Sequence, residues 1–440
     1  MKNSRISILE KIGYGLGDTA SNLVFQTVML FLAYFYTDIF GLSAAAVGTM
    51  FLVVRLFDGI TDPIMGFLAD RHNSAHGKFR PFLLWIALPL VLACWLTFST
   101  PEFTASGKLI YAYLTYAFLM LMYTAINIPY CALGGVITAD PQQRVSLQSY
   151  RFTLAMLGGL AVSACTLPMV EFFGAGNEQA GYQSTMLIMS GIGALMFVVC
   201  FRTTRERVHP KPHQNIVLKQ ALKSLWRNDQ WRIISMVCFI VLAGMVIRNT
   251  VALYYVNYYL GHKALATYFI TLGMLGAIIG SFIVQFISQR FCKIKTYAAA
   301  NALAGGVCIA AFFIPSNNLV GAFAGHILVS FLLQVASPLL WSMMADVVDY
   351  GEYKERIRVT GLTYSANLFF LKLGMAVGGA AAAWSLAGFG YQANQAQSLQ
   401  ALWGINFLFS IVPGLIFIAS GIYILRYRLN NDAMARIHAN

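Results

Sequence analysis

Apolar runs of about twenty residues or more recur along the whole chain, each long enough to cross the roughly 30 Å hydrocarbon layer as one helix. They fall near 10–39, 43–70, 81–100, 108–138, 145–172, 182–202, 231–260, 264–289, 295–315, 319–347, 361–389 and 399–427. Turn-rich or charged pieces separate them, among them TPEFTASGK, TADPQQR, EFFGAGNEQAGYQ, SQRFCKIK, PSNN and AGFGYQANQAQS. The pattern predicts an all-α membrane protein with twelve transmembrane helices. The first segment, MKNSRISILEKIGYGLGD, lacks a compact apolar core followed by a small-residue cleavage site, so the first run is expected to stay as a spanning helix.

Composition agrees. Of 440 residues, 58% are hydrophobic and 11% charged, where a soluble domain carries about 25% charged residues. The net charge of +13 could suggest a nucleic-acid partner, but its placement argues for topology. With twelve spans, one set of loops together with both termini collects 24 Lys and Arg, and the opposite set has only Lys108 and Lys263. The positive-inside rule then puts both termini in the cytoplasm. The longest polar connection follows the sixth span and is itself basic, so the expected domains are a six-helix bundle at 1–202, a linker at 203–230 and a second bundle at 231–440. Within the linker, NIVLKQALKSLW has apolar residues at helical spacing and is expected to lie on the inner membrane surface. Six plus six spans is the layout of the major facilitator fold, two bundles flanking a central cavity.

The informative residues are those that do not suit lipid. Arg55, Asp58 and Asp62 share one face of the second span at helical spacing. Each ionised group there costs at least about 2.5–3.5 kcal/mol unless it faces a watery or polar interior. Two like charges one turn apart titrate as a coupled pair, and a proton or small cation relieves their repulsion. The first span carries Tyr14, Asp18, Asn22 and Gln26 as a polar stripe. The fourth has Thr124, Asn127 and Cys131 around Pro129, and Asn127 can donate and accept toward sugar hydroxyls or orient a carboxylate. Arg151 and Lys372 are further charges inside spans, and Arg248, Asn249 and Thr250 form another polar cluster, in the seventh span. Fixed ion pairs holding the bundles together are the alternative reading. Near the cytoplasm, Arg71 and the stretch with Asp346, Asp349, Glu352, Glu355, Arg356 and Arg358 are either ordinary snorkelling charges or an inner gate of ion pairs. His326 reads as a packed core residue. His72 and His76 lack a third ligand, so no metal site is expected beyond a possible sodium ion at Asp58 and Asp62. Seven scattered cysteines read as small reduced hydrophobes. There is no HExxH, nucleophile elbow or phosphate loop, which argues against an enzyme.

The pieces YGLGD (14–18), FYTDIFGLS (35–43), RLFDGITDPIMG (55–66), GKFRPF (77–82), YTAINIPYCALGG (123–135), SYRF (149–152) and ADVVDYGEYK (345–354) carry a resemblance that covers nearly the whole chain. It is to the glycoside–pentoside–hexuronide:cation symporters of the major facilitator superfamily. The resemblance implies that Asp58 and Asp62, with Thr61 and Thr124 beside them, hold the coupling cation. It implies that Arg151 contacts the sugar and that Lys372 lies between the two sites, with Asp18, Asn22 and Asn127 completing the substrate set. Departures matter: the melibiose carrier has an asparagine at the place of Thr61, acids at the places of Asn22 and Asn127, and a tryptophan at that of Cys131. Those losses favour a proton over sodium. IGYGLGD, NIPYCALGG and ITADP are closer to xyloside and pentoside transporters of enteric bacteria. The expectation is therefore a monomeric, proton-coupled importer of a xyloside or other pentoside, needing no organic cofactor. The alternatives are a sodium-coupled glycoside or glucuronide symporter, and a lipid-type or effluxing carrier on the same fold.

Overall fold

The computed structural model describes residues 6–208, 217–392 and 395–439, and all regular structure among them is helical. Twelve long helices follow one another: α1 (Ile8–Thr27), α2 (Ala44–Arg71), α3 (Arg80–Thr97), α4 (Ala105–Leu133), α5 (Pro141–Gly174), α6 (Glu178–Thr203), α7 (Asp229–Tyr254), α8 (Ala266–Arg290), α9 (Lys293–Phe312), α10 (Leu319–Glu355), α11 (Thr360–Gly388) and α12 (Leu399–Arg426). Ten of them are long and apolar enough to cross a membrane on length and composition. The other two, α1 and α2, hold the intramembrane acids. Most starts are written in the sequence. Ser7, Ser43, Thr104, Asp140, Asn177, Asn228, Asn318 and Ser398 each accept a backbone N–H of the first turn, which matters more where lipid supplies no water to do so.

Two helices end alike. After α1 the chain widens into π-type turns at Val28–Leu32 and Phe35–Ile39, and after α7 at Tyr255–Tyr259. The hydrogen bonds Phe40 N to Phe35 O and Leu42 N to Tyr36 O recur as Leu260 N to Tyr255 O and His262 N to Val256 O. Gly41 and Gly261 close these ends at φ of 80° and 74°, a left-handed conformation that favours glycine. An internal repeat is thus visible in backbone geometry where side chains have diverged.

The chain forms two compact units, Met1–Leu222 with Arg358–Ser365, and Lys223–Ile357 with Ala366–Asn440. In the first, α1 packs on α5 and α6; in the second, α8 packs on α10 and α9 on α12. Small residues allow the close approach, as at Gly158 against Thr19 and Gly305 against Gly414. Past α6 the linker straps the first unit together. Glu206 accepts the N–H groups of Lys78, Phe79 and Arg80 at 2.8–3.0 Å, capping α3. Arg207 forks onto Glu10 at 2.7 and 2.9 Å, and Val136 O accepts from Arg207 N and Val208 N. The surface helix expected in the linker is present at Leu218–Arg227, with Ala221 and Leu225 buried and Leu218, Leu222 and Trp226 exposed along one side. The first two residues of its expected span lie outside the described residues.

Candidate functional site

In the first unit, α1 and α5 bring Asp18 and Arg151 face to face. Arg151 Nε donates to Asp18 Oδ2 at 2.9 Å and Nη2 to Oδ1 at 3.4 Å, a two-pronged geometry suited to a guanidinium. Both are buried. The guanidinium also reaches Gln148 Oε1 at 3.4 Å and Cys131 Sγ at 3.6 Å, and lies over the Tyr130 ring at 5.2 Å. Tyr130 is fixed in turn: its hydroxyl donates to Tyr14 O at 2.7 Å, and its ring stacks on Tyr14 with centroids 4.9 Å apart. Asn22 is half-buried and gives its amide to the Asp18 main-chain carbonyl at 2.9 Å, so it supports the helix and not the carboxylate. Asn127, also half-buried, accepts a weak bond from the Cys131 thiol at 3.8 Å. An arginine held over an aromatic ring and paired with a carboxylate, beside an amide, is the kind of donor and acceptor set that polyhydroxylated ligands need.

The second assembly joins α2 to α4. Asp58 and Asp62 are each 1% exposed, and Thr124 Oγ1 donates to Asp62 Oδ1 at 2.9 Å. The Thr61 hydroxyl turns back to the Asp58 carbonyl at 3.4 Å. Pro63 lies inside α2 and has no N–H, so the Gly59 carbonyl receives no helical bond from that position. Carboxylate, hydroxyl and a freed carbonyl are hard oxygen groups, suited to a proton or a small cation. The Arg55 side chain, expected on the same face, lies outside the described residues.

These two constellations are what a carrier of small polar molecules requires, and a family model described as MFS/sugar transport protein matches residues 13–431. The chain belongs to the MFS/sugar transport family. The transporter is 43% identical over 428 residues to the inner membrane symporter YicJ of Escherichia coli K12, covering 97% of this chain and 93% of that protein. It is 35% identical over 432 residues to the isoprimeverose transporter of Lactiplantibacillus pentosus, covering 96% and 88%. Among solved structures, the E. coli fucose:proton symporter FucP shares the fold with a TM-score of 0.65 at 13% identity, covering 96% and 98%. The protein is therefore a multi-pass inner-membrane transporter with the major facilitator fold, and not an enzyme.

The expected gate residues of the transporter have different surroundings. Arg71 is exposed, its guanidinium 5.0 Å from the Phe67 ring centroid. Its neighbour Asp70, which sequence reasoning passed over, accepts Gly361 N at 2.8 Å and Leu362 N at 3.0 Å. A carboxylate thus sits at the N-terminus of α11, where the helix dipole favours it. Gly66 makes the approach possible: a Cβ there would lie 2.6 Å from the Gly361 carbonyl oxygen. Arg358 is buried in this same unit. Asp346 is fully buried and ion-paired with Lys293 within the second unit, a partner the sequence did not suggest. Lys372, half-buried on α11, also belongs to the second unit. Tyr130 and Gln148 were likewise missed; only their helical spacing from Asn127 and Arg151 could have pointed to them. Among the described residues, no cluster of three or more His, Cys, Asp or Glu is placed to hold a metal ion.

Proposed function

We propose that the transporter imports a xylose-containing or other pentose glycoside together with a proton, by alternating access. The observation that carries this reading is the pairing of two buried acid centres in one unit, Asp18 with Arg151 and Asp58/Asp62 with Thr124. One centre is neutralised by a fixed cation and is free to serve hydroxyl groups. In the other, two carboxylates share a helix turn and gain by taking up a proton before that region turns inward. Arg151 and Asp18 bind sugar hydroxyls, with Lys372, Asn22 and Asn127 as further substrate ligands, and Arg71, Asp346 and Arg358 take part in gating. The likeness to an isoprimeverose transporter supports the pentoside assignment, and that to a fucose:proton symporter supports the proton.

The test is uptake of labelled pentosides and other glycosides into membrane vesicles under separate proton and sodium gradients. The expected result is pentoside accumulation driven by the proton gradient alone, lost in Asp58→Asn and Asp62→Asn while downhill exchange persists. Accumulation that survives in both variants would remove these residues from the coupling role. Drive by sodium with a glucuronide would favour the sodium-coupled reading.

A further inference from the structure

The second unit buries a cation that nothing in the transport scheme uses. Arg248 lies on α7, 4% exposed, about 28 Å along the helix from its first residue at 1.5 Å per residue. Every carboxylate of this unit sits at the start of α7, in the last third of α10 or in the tail: Asp229, Asp346, Asp349, Glu352, Glu355 and Asp432. Among the described residues none pairs with Arg248, and its Nε–H finds no acceptor. Its neighbours are the Phe409 ring, 4.5 Å from the guanidinium carbon, and the Cys308 thiol. An unpaired buried charge costs about 3–5 kcal/mol, a cost that a counter-ion from outside the chain would offset.

What surrounds it says which kind of group. Tyr255 is seven residues on, hence on the same face of α7. Its ring stacks on Phe409 with centroids 4.2 Å apart, and its hydroxyl has no partner. His326 stacks on Phe269 at 4.0 Å, 7% exposed, with Nδ1 also unpartnered. The Phe269 and His326 rings lie 6.0 and 6.2 Å from that of Phe409, centroid to centroid. The polar groups gathered here are predominantly donors: a guanidinium, a phenol, a thiol and an imidazole N–H. Donors surrounded by aromatic rings suit a weakly hydrated spherical anion. A cation would meet Arg248, and a neutral ligand would leave the charge uncompensated.

We propose that Arg248, with the Tyr255 hydroxyl and the Cys308 thiol, binds one small inorganic monoanion of chloride size beside the ring cluster of Phe269, His326 and Phe409. The anion acts as a structural counter-ion within the second unit and takes no part in sugar recognition.

The experiment titrates the purified full-length transporter with sodium chloride against sodium gluconate at constant ionic strength and constant sodium, reading the thermal unfolding midpoint. The midpoint should rise saturably with chloride and with bromide, Arg248→Gln should abolish the dependence, and Tyr255→Phe should weaken apparent affinity about tenfold, as for one hydrogen bond to a charge. Should Arg248→Gln fail to fold, chloride-35 NMR line broadening on the wild type and on Arg248→Lys replaces it. Broadening that bromide displaces in both supports the site, and its absence from the wild type overturns it. A midpoint indifferent to halide, or a halide response unchanged in Arg248→Gln, also overturns the site. Acetate acting as well as chloride would overturn the halide assignment in favour of a carboxylate ligand.

Discussion

In the first unit the Arg151 guanidinium meets the Asp18 carboxylate at 2.9 Å, whereas in the second the Arg248 guanidinium lies over the Phe409 ring, 4.5 Å from its centroid. The backbones around these residues are related, since α1 and α7 end in the same turn with the same hydrogen bonds. Charge has been distributed differently on the repeated frame. The first unit keeps acids and bases together deep in the helices. The second confines its acids to the helix ends and tail, and binds one there, Asp346, to Lys293. A repeat thus fixes where side chains can stand without fixing which of them carry function.

Five substitutions test this contrast. Arg151→Gln should have the largest effect. It leaves a buried carboxylate without its cation, lowering stability by about 3–5 kcal/mol and abolishing glycoside uptake. Adding Asp18→Asn should recover much of the thermal stability and none of the uptake; recovery of both would reduce the pair to scaffolding. Thr124→Val removes one donor to a charged acceptor, worth about 1.5–3 kcal/mol. The cation concentration giving half-maximal uptake should therefore rise by about ten- to a hundredfold, with glycoside binding at saturating cation unchanged. Arg248→Met should act in the opposite direction to Arg151→Gln. In halide-free buffer, replacing an uncompensated guanidinium by an apolar chain should raise stability by about 1 kcal/mol or more, as read by the unfolding midpoint. The smallest change is expected from Glu206→Gln, which weakens the cap on α3 by about 0.5–2 kcal/mol and leaves uptake kinetics as they were.

The twelve helices were legible because lipid imposes both run length and polarity, and because capping residues mark most starts. The end of α10 was not. The expected segment stops at 347, yet the helix runs to Glu355, because a helix leaving the membrane continues in charged residues that read as loop. In the site, Asp18, Asp58, Asp62 and Arg151 stood out since charge in an apolar run is costly and rare. Tyr130 and Gln148 did not, an aromatic ring and a neutral amide being unremarkable in such a helix. Asn22 stood out as polar in an apolar run, and its amide N–H group meets the Asp18 carbonyl of its own helix. Asp70 was hidden for another reason. A carboxylate at a helix end near water looks ordinary, and only the tertiary placement of Gly361 and Leu362 reveals what it holds.

The strap at residues 205–208 has a practical corollary for dissecting the transporter as separately expressed halves. Five of its main-chain and side-chain groups anchor the starts of α1 and α3 and the turn after α4. A break in the reading frame ahead of Thr204 would strip those anchors from the amino-terminal fragment and hand them to the wrong polypeptide. A break beyond Val208 would leave that fragment with its own fastening, and reassembly of the co-expressed pieces should depend on which side of the strap the gene was divided.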